Sequence, residues 1–141
     1  MSYIEEIRRK GRKANPFFLL MGIELGSFGN GQAELSMKVR PDMLNGAGWL
    51  QGGLFTAISD EAMALALFTS LEEDENIATI SESTTFLQGV KIGEITASGR
   101  VIKKGRHVAF AEGNVKKSED STLLSQTRAS FAVLNRTIKD R

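Results

Sequence analysis

The sequence has no cysteine and a single histidine among its 141 residues. Without cysteine the chain can form no disulfide, no thiolate nucleophile and no thiolate-ligated zinc or iron–sulfur site. One histidine also excludes any site within one chain that needs two imidazoles. The 18 basic and 17 acidic side chains leave a formal charge of +1, whereas proteins that neutralise phosphates show a basic excess. We therefore expect no nucleic-acid partner.

No stretch of the sequence predicts a membrane span. Residues 49–69 are mostly apolar, but Gln51 and the adjacent Asp60 and Glu61 interrupt them. Two charges in the middle of a bilayer would be costly, so a helix buried in a protein core is the better interpretation. The chain also begins without a cationic and then apolar leader, and we expect a cytoplasmic protein.

The length and composition predict a single domain over residues 1–141. Hydrophobic residues make up 41% and charged residues 25% of the chain, close to the average for globular proteins. Residues 1–15 are expected to form an N-terminal helical extension, after which Asn15 caps a short apolar turn that begins at Pro16. The last residues, 136–141, are expected to fray.

Strands are predicted on both sides of the apolar helix. A hairpin with a glycine-rich turn at residues 29–31 precedes the helix. Four strands follow it with turn residues between them, and we expect them to pair in meander order. Their predicted ranges are 77–88, 94–104, 107–117 and 122–135. The fold class is therefore α+β, with one antiparallel sheet of about six strands wrapped around one long central helix.

The glycine pair Gly52-Gly53 lies at the predicted start of this helix. Glycine is a poor helix former, about 1 kcal/mol worse than alanine, so two in succession indicate that something approaches the backbone closely. Unpaired N–H groups at a helix start stabilise negative charge. A thioester or ester carbonyl that becomes an oxyanion can use them. Tight helix packing is the alternative explanation of the pair.

Asp60 is a carboxylate in an otherwise apolar stretch, eight residues beyond Gly52. A buried carboxylate needs partners or a cleft, and the alternative is a structural or solvent-facing side chain. Eight residues correspond to about 12 Å along a helix, too far for one carbonyl to contact both groups. The two groups can share a substrate across a two-fold dimer, in which the helix start of one subunit faces Asp60 of the other.

Two polar features lie near a predicted hairpin turn. His107 follows Gly105-Arg106 and is interpreted as a surface turn residue rather than a catalyst. Lys103, Lys104 and Arg106 form a small basic cluster, for which a solvated turn is favoured over a phosphate site.

The segment 45–67 resembles the helix signature of hotdog-fold acyl-CoA thioesterases of the phenylacetate-degradation (PaaI) type. The family pattern is roughly N-x-x-G-x-x-H-G-G, followed by an Asp eight residues after the first glycine of the pair. The matching residues in this chain are Asn45, Gly48, Gly52, Gly53 and Asp60. Segments 79–93 and 101–115 resemble the family's next strand and hairpin, so the likeness covers roughly residues 17–135.

This resemblance implies an acyl-CoA thioesterase that works without a metal or redox cofactor. The Gly52 backbone N–H would polarise the thioester carbonyl, with Asn45 assisting. Asp60 of the facing subunit would activate water as general base or attack as nucleophile, and Thr79 would help hold the water. Coenzyme A would lie along the interface of a two-fold dimer, commonly within a tetramer. The residues implied in substrate binding are Gln51, Gly53 and Arg106.

The chain departs from the family pattern at two places. Gln51 replaces the histidine before the glycine pair, and glutamine forms hydrogen bonds but does not titrate. Gln88-Gly89 replaces an Arg-Pro pair. The first replacement keeps open a second function, a non-catalytic acyl-CoA or acyl-carrier binding protein on the same scaffold. A hotdog-fold hydratase or dehydratase is disfavoured because such enzymes need a catalytic histidine, and His107 is predicted to lie in a turn.

Overall fold

A computed structural model describes residues 2–135 of the chain, and the expected fraying of residues 136–141 lies outside them. The helices of this part are α1 (Tyr3–Lys10), α2 (Pro16–Met21) and α3 (Gly52–Phe68), with short 3-10 turns at Gly11–Ala14 and Pro41–Met43. The strands are β1 (Ile23–Gly29), β2 (Gln32–Lys38), β3 (Glu75–Phe86), β4 (Glu94–Lys104), β5 (Val108–Lys117) and β6 (Leu123–Asn135). The four strands predicted after the helix are confirmed, with ends within two residues of the predicted ones.

The strands form one antiparallel sheet in the order β1-β2-β4-β5-β6-β3. The expected meander is therefore wrong at its start, because β3 pairs with β6 at the sheet edge and not with β4. The segment 87–93 makes no hairpin. Its backbone bonds instead to the loop before α3, where the N–H of Leu50 donates to the carbonyl of Val90 at 2.8 Å. Alternating patterns in a sequence identify strands, but they do not identify the neighbours of each strand.

The sheet wraps around α3, as predicted from its apolar character. The buried hydrophobic side chains of this helix are Phe55, Ile58, Ala62, Met63, Leu65, Ala66 and Leu67. β4 approaches the helix backbone so closely that a Cβ at Gly99 would lie 2.4 Å from the carbonyl of Ala62, which requires glycine at this position. Among residues 2–135, no helix has both the length and the hydropathy to span a membrane.

The N-terminal extension covers the β1 edge of the sheet. Asn15 caps α2 as predicted, because its Oδ1 accepts the N–H of Phe17 at 3.0 Å and that of Phe18 at 3.4 Å. Arg12 donates to the carbonyl of Ile23 in β1 at 2.8 Å and to that of Phe18 at 3.3 Å. The bond to Ile23 occupies a backbone carbonyl of the edge strand β1.

The opposite edge of the sheet, formed by β3, is open. No strand within the described residues pairs with its outer side. Three exposed hydrophobic side chains lie on or beside it: Ile80, Phe86 and Leu87. A long unpaired edge with apolar side chains is a template for pairing with another chain.

Candidate active site

The start of α3 is organised by its N-cap residue, Gln51. The backbone of Gln51 is extended (φ −62°, ψ 132°), and its Oε1 accepts the N–H of Gly53 at 2.6 Å. A Cβ at Gly53 would lie 2.8 Å from that oxygen, so a larger residue at position 53 would require the Gln51 side chain to shift. The residue at the position of the family's histidine is thus a helix cap, a role that the sequence pattern alone did not show.

The first amide of the helix is that of Gly52, and it finds no hydrogen-bond acceptor among residues 2–135. The Gln51 side chain accepts from Gly53, and the Gln51 carbonyl accepts the N–H of Leu54 at 3.0 Å. No group in the part of the chain that the structure describes accepts the N–H of Gly52. The result is a free donor at the positive end of a 17-residue helix, an arrangement that can stabilise an oxyanion.

Asn45 organises the loop that leads into α3. Its Oδ1 accepts the N–H of Ala47 at 2.9 Å and that of Trp49 at 3.1 Å. Leu44 and Leu50 form an antiparallel bridge that closes the same loop. Because the carbonyl oxygen of the Asn45 side chain is engaged within the loop, its Nδ2 is the group that remains to contact a substrate.

The Trp49 side chain packs against Gly89, one of the two residues that replace the family's Arg-Pro pair. A Cβ at Gly89 would lie 2.8 Å from the indole ring. Lys91 Nζ lies 4.4 Å from the centroid of the same ring, within the range of a cation–π interaction. The indole therefore occupies the space that a larger residue at position 89 would need.

Asp60 lies on the side of α3 that faces β3. Thr79 Oγ1 donates a hydrogen bond of 3.2 Å to Asp60 Oδ1. One turn earlier on the helix, the hydroxyls of Thr56 and Thr84 lie 2.7 Å apart, so the helix and the strand run in opposite directions. Asp60 is half-buried and Thr79 is exposed. The structure thus brings together two predicted site residues that are 19 positions apart.

A β-bulge at Ile80 shifts the register of β3. Thr79 pairs with Phe131 of β6, whereas Ser81, two residues further on, pairs with Ser130. Side chains of a strand alternate between its two faces, so an extra residue reverses the alternation beyond it. Bulges are over-represented next to active sites, where they re-aim side chains.

The bulge places Glu82 on the same face as Thr79. Glu82 pairs with Ala129 and Thr79 pairs with Phe131, and both partners are buried in the cluster that packs against α3. In a regular strand, residues three positions apart point to opposite faces. Glu82 therefore lies beside Asp60, in contact with the predicted catalytic carboxyl.

Glu82 adjoins the candidate site, and sequence reasoning missed it. Its Oε1 is buried and has no hydrogen-bond partner among residues 2–135. Burial, together with the adjoining Asp60 carboxyl, raises the pKa of Glu82 to about 8. The alternation of the strand assigns Glu82 and Thr79 to opposite faces, and no residue in the sequence marks the bulge that reverses it.

Arg106 and His107 lie exposed in the turn between β4 and β5, which confirms the turn predicted for His107. The adjacent Lys104 forms a 3.1 Å ion pair with the first residue of β3. Phe86 is the last residue of β3, at the other end of the strand. Its ring would lie 3.5 Å from a Cβ on Gly52. The two ends are 11 residues apart, about 36 Å in an extended strand. Within one chain, the structure does not bring Arg106 and Gly52 together.

Comparison with known proteins identifies the family of this fold and site. The family model described as "Thioesterase superfamily" matches residues 47–124, more than half of the chain. The chain belongs to this superfamily, whose members are thioester hydrolases. The enzyme class and the family resemblance that the sequence predicted are thereby confirmed.

Individual relatives agree in sequence and in fold. Human acyl-coenzyme A thioesterase 13 is 28% identical over 127 residues, which are 89% of this chain and 90% of that protein. The crystal structure of a thioesterase from Haemophilus influenzae superposes with a TM-score of 0.83 at 25% identity, covering 90% of this chain and 88% of that one. A phenylacetic acid degradation-related protein from Ralstonia eutropha JMP134 shares the fold, with a TM-score of 0.83 at 22% identity and coverage of 93% and 99%. The predicted hotdog architecture is confirmed.

Proposed function

We propose that this protein hydrolyses acyl-CoA thioesters to a free acid and coenzyme A. The observation that carries the proposal is the hydrogen bond between Thr79 and Asp60, which orients a half-buried carboxylate. The free N–H of Gly52 on the same helix supplies the second element of such a site. The similarity to acyl-coenzyme A thioesterase 13 supports the substrate class.

Asp60 acts as the proton acceptor or as the nucleophile. As general base, it takes a proton from a water molecule held with Thr79, and the water oxygen bonds to the carbonyl carbon. As nucleophile, Asp60 bonds to that carbon itself, and water then hydrolyses the resulting anhydride. In both routes the C–S bond breaks and coenzyme A leaves as the thiolate. The Gly52 N–H, assisted by Asn45, stabilises the oxyanion.

The proposed site is shared between two subunits. Gly52 and Asp60 are about 12 Å apart along the helix; Asp60 contacts Thr79, whereas Gly52 lies beside Phe86 near the strand end. Antiparallel pairing of two β3 edges about a two-fold axis places the Phe86 end of one strand toward Thr79 of the other. The open β3 edge supports this homodimer, and two such dimers would form the expected tetramer.

The same two-fold axis gives Arg106 a role. Because the axis reverses β3, the turn that carries Arg106 in one subunit approaches the Gly52 end of the other. We assign Arg106 to the phosphates of coenzyme A, and Gln51 and Gly53 to the thioester end of the substrate. The reaction needs no metal or redox cofactor, so excess chelator should leave thiol release unchanged. The cytoplasmic location stays a prediction.

The second candidate function is non-catalytic binding of acyl-CoA or an acyl carrier, which the Gln51 replacement favours. Release of free thiol from short, long and aryl acyl-CoAs, measured with a thiol reagent, separates the two functions. Thiol release from any of them supports the thioesterase. Saturable binding of an acyl-CoA with no release from the whole panel supports the second candidate.

Asp60→Asn tests the assigned chemistry. The amide is nearly isosteric but cannot accept the proton, and loss of a positioned base commonly costs about 10² to 10⁴ in rate. Glu61→Gln is the matched control, because the Glu61 Oε1 accepts a 3.0 Å hydrogen bond from Asn15, which an amide oxygen can also accept. Wild-type turnover in Asp60→Asn would make Asp60 a structural residue and overturn the mechanism.

A further inference from the structure

Glu82 is a buried ionisable group that the proposed reaction leaves unexplained. Its carboxyl lies against that of Asp60, and its Oε1 finds no hydrogen-bond partner in residues 2–135. Within the same residues, neither carboxyl forms an ion pair with a basic side chain. Two acidic groups therefore adjoin each other with no cation to neutralise them.

Among residues 2–135, the charged group that adjoins Glu82 is Asp60. Two elements pack against it, α3 and β6, and the helix presents Asp60. The inner face of β6 presents Thr127, Ala129 and Phe131. The charged residue of β6 in this stretch, Arg128, lies on the outer face, where its Nη2 is 3.7 Å from Glu112. Asp60 is thus the one ionisable partner that the described residues offer to Glu82.

Two adjoining carboxyl groups in a partly buried site cannot both be ionised without a large electrostatic cost. A proton held between them removes the repulsion and engages the buried oxygen of Glu82. Thr79 already donates its hydroxyl to Asp60, whereas the buried oxygen of Glu82 has no donor among residues 2–135. The proton therefore belongs on Glu82.

We propose that Glu82 is a positioning residue of the active site, which holds a proton and donates it in a hydrogen bond to Asp60. Thr79 and Glu82 then fix the Asp60 carboxylate from two directions and aim it at the reacting water or thioester. This inference rests on the proposed thioesterase function and deepens it, since it names what holds the reacting carboxylate in place.

The pair sets an alkaline limit on the reaction. Burial and the adjoining Asp60 carboxyl raise the pKa of Glu82 to about 8, so that Glu82 loses its proton above this pH. The hydrogen bond to Asp60 is then lost, and a second negative charge faces an anionic transition state. kcat/KM should therefore fall above about pH 8.

NMR titration of the protein with ¹³C-labelled glutamate carboxyls tests the shared proton without using activity. One glutamate signal should titrate near pH 8, disappear in Glu82→Gln and move to lower pH by about one unit or more in Asp60→Asn. The matched control is Glu75→Gln on the same strand, where Glu75 pairs with Lys104, and it should leave the signal in place. A Glu82 signal that titrates at its ordinary value, or that ignores Asp60→Asn, would overturn the proposal.

Kinetics test the positioning role. Glu82→Met removes the donor and should lower kcat by about 10-fold or more, with little change in KM. Glu82→Gln keeps a donor and should recover most of that loss, without the fall near pH 8. Equal losses in both variants with an unchanged pH profile would contradict positioning. If the wild type releases no thiol but the coupled titration is observed, the shared proton is established. The thioesterase function and the catalytic use of the pair are then overturned.

Discussion

The Thr79 hydroxyl donates a 3.2 Å hydrogen bond to Asp60 Oδ1, and so joins the edge strand β3 to the central helix at a carboxylate. The bulge at Ile80 aligns Glu82 with the same carboxylate. The groups that we propose to hold Asp60 therefore come from a strand whose outer edge pairs with no other strand of residues 2–135. Pairing of that edge with a second chain should therefore change the geometry of the site, and changes in the site should in turn affect the pairing.

Replacing Thr79 with valine should lower kcat, because it removes the hydroxyl that orients Asp60. A hydrogen bond to a charged group contributes about 1.5 to 3 kcal/mol, which corresponds to about 10- to 100-fold in rate. Thr79→Ser keeps the hydroxyl and should retain most of the activity. The measurement is steady-state thiol release, with thermal unfolding to show that both variants fold. Wild-type kcat in Thr79→Val would mean that this hydrogen bond plays no part in turnover.

Glu82 should make the stability of the protein decrease with pH. Its pKa rises from 4.5 to about 8 on folding, mainly through burial, so between these values the folded state binds more protons than the unfolded state. The stabilisation is complete below pH 4.5 and is lost as the pH rises through about 8. Thermal unfolding from pH 5 to pH 9 should show a Tm that falls less steeply in Glu82→Gln. Equal slopes in both proteins would show that Glu82 ionises normally.

Gln51→His should restore an imidazole to the helix start. We expect this variant to keep its activity and to gain an inflection in kcat/KM between about pH 6 and pH 7. Gln51→Ala removes the cap on Gly53, and should lower both turnover and stability, the latter by about 1 kcal/mol. His107→Ala should leave the alkaline limit near pH 8 unchanged, because that limit is assigned to Glu82. Loss of hydrolysis in His107→Ala would place His107 in the site.

Ile80→Lys should weaken the proposed dimer. Ile80 is exposed on the open edge of β3, and lysine on an edge strand opposes pairing with another chain. Light scattering should show a shift toward monomer, and thiol release should fall in parallel. The control is Ile102→Lys on β4, an interior strand on which Ile102 is also exposed. A monomer that keeps full activity would rule out the shared site.

The sequence predicted those features that local patterns encode. The apolar character of α3 and the alternation in the strands located the elements, and spacing identified Gly52 and Asp60 as a separated pair. Two features depend on long-range structure. The place of β3 beside β6 depends on segment 87–93, which bonds to the loop before α3 instead of forming a hairpin to β4. The inward orientation of Glu82 depends on a bulge, whose register only the pairing with β6 reveals.

Gly52→Pro removes the proposed oxyanion donor with little disturbance of the fold. Proline is tolerated at the first position of a helix, where the N–H has no partner, and the extended backbone of Gln51 suits a residue before proline. A Cβ at Gly52 would lie 3.5 Å from Phe86, an ordinary contact. We expect kcat to fall by about 10² to 10³. Gly52→Ala, which keeps the N–H, should stay active, and equal activity in both variants would remove this N–H from the mechanism.

Mixing the Asp60→Asn and Gly52→Pro proteins tests the shared active site most directly. Each variant alone is expected to be nearly inactive. After equal amounts of the two variants are denatured and refolded together, half of the dimers contain one chain of each kind. In these dimers, one of the two sites combines an intact Asp60 with an intact Gly52 N–H from the other chain. Thiol release should therefore recover to about one quarter of the wild-type rate. If the mixture stays as inactive as its components while folding and pairing normally, Gly52 and Asp60 do not act across the dimer, and the proposed site is contradicted.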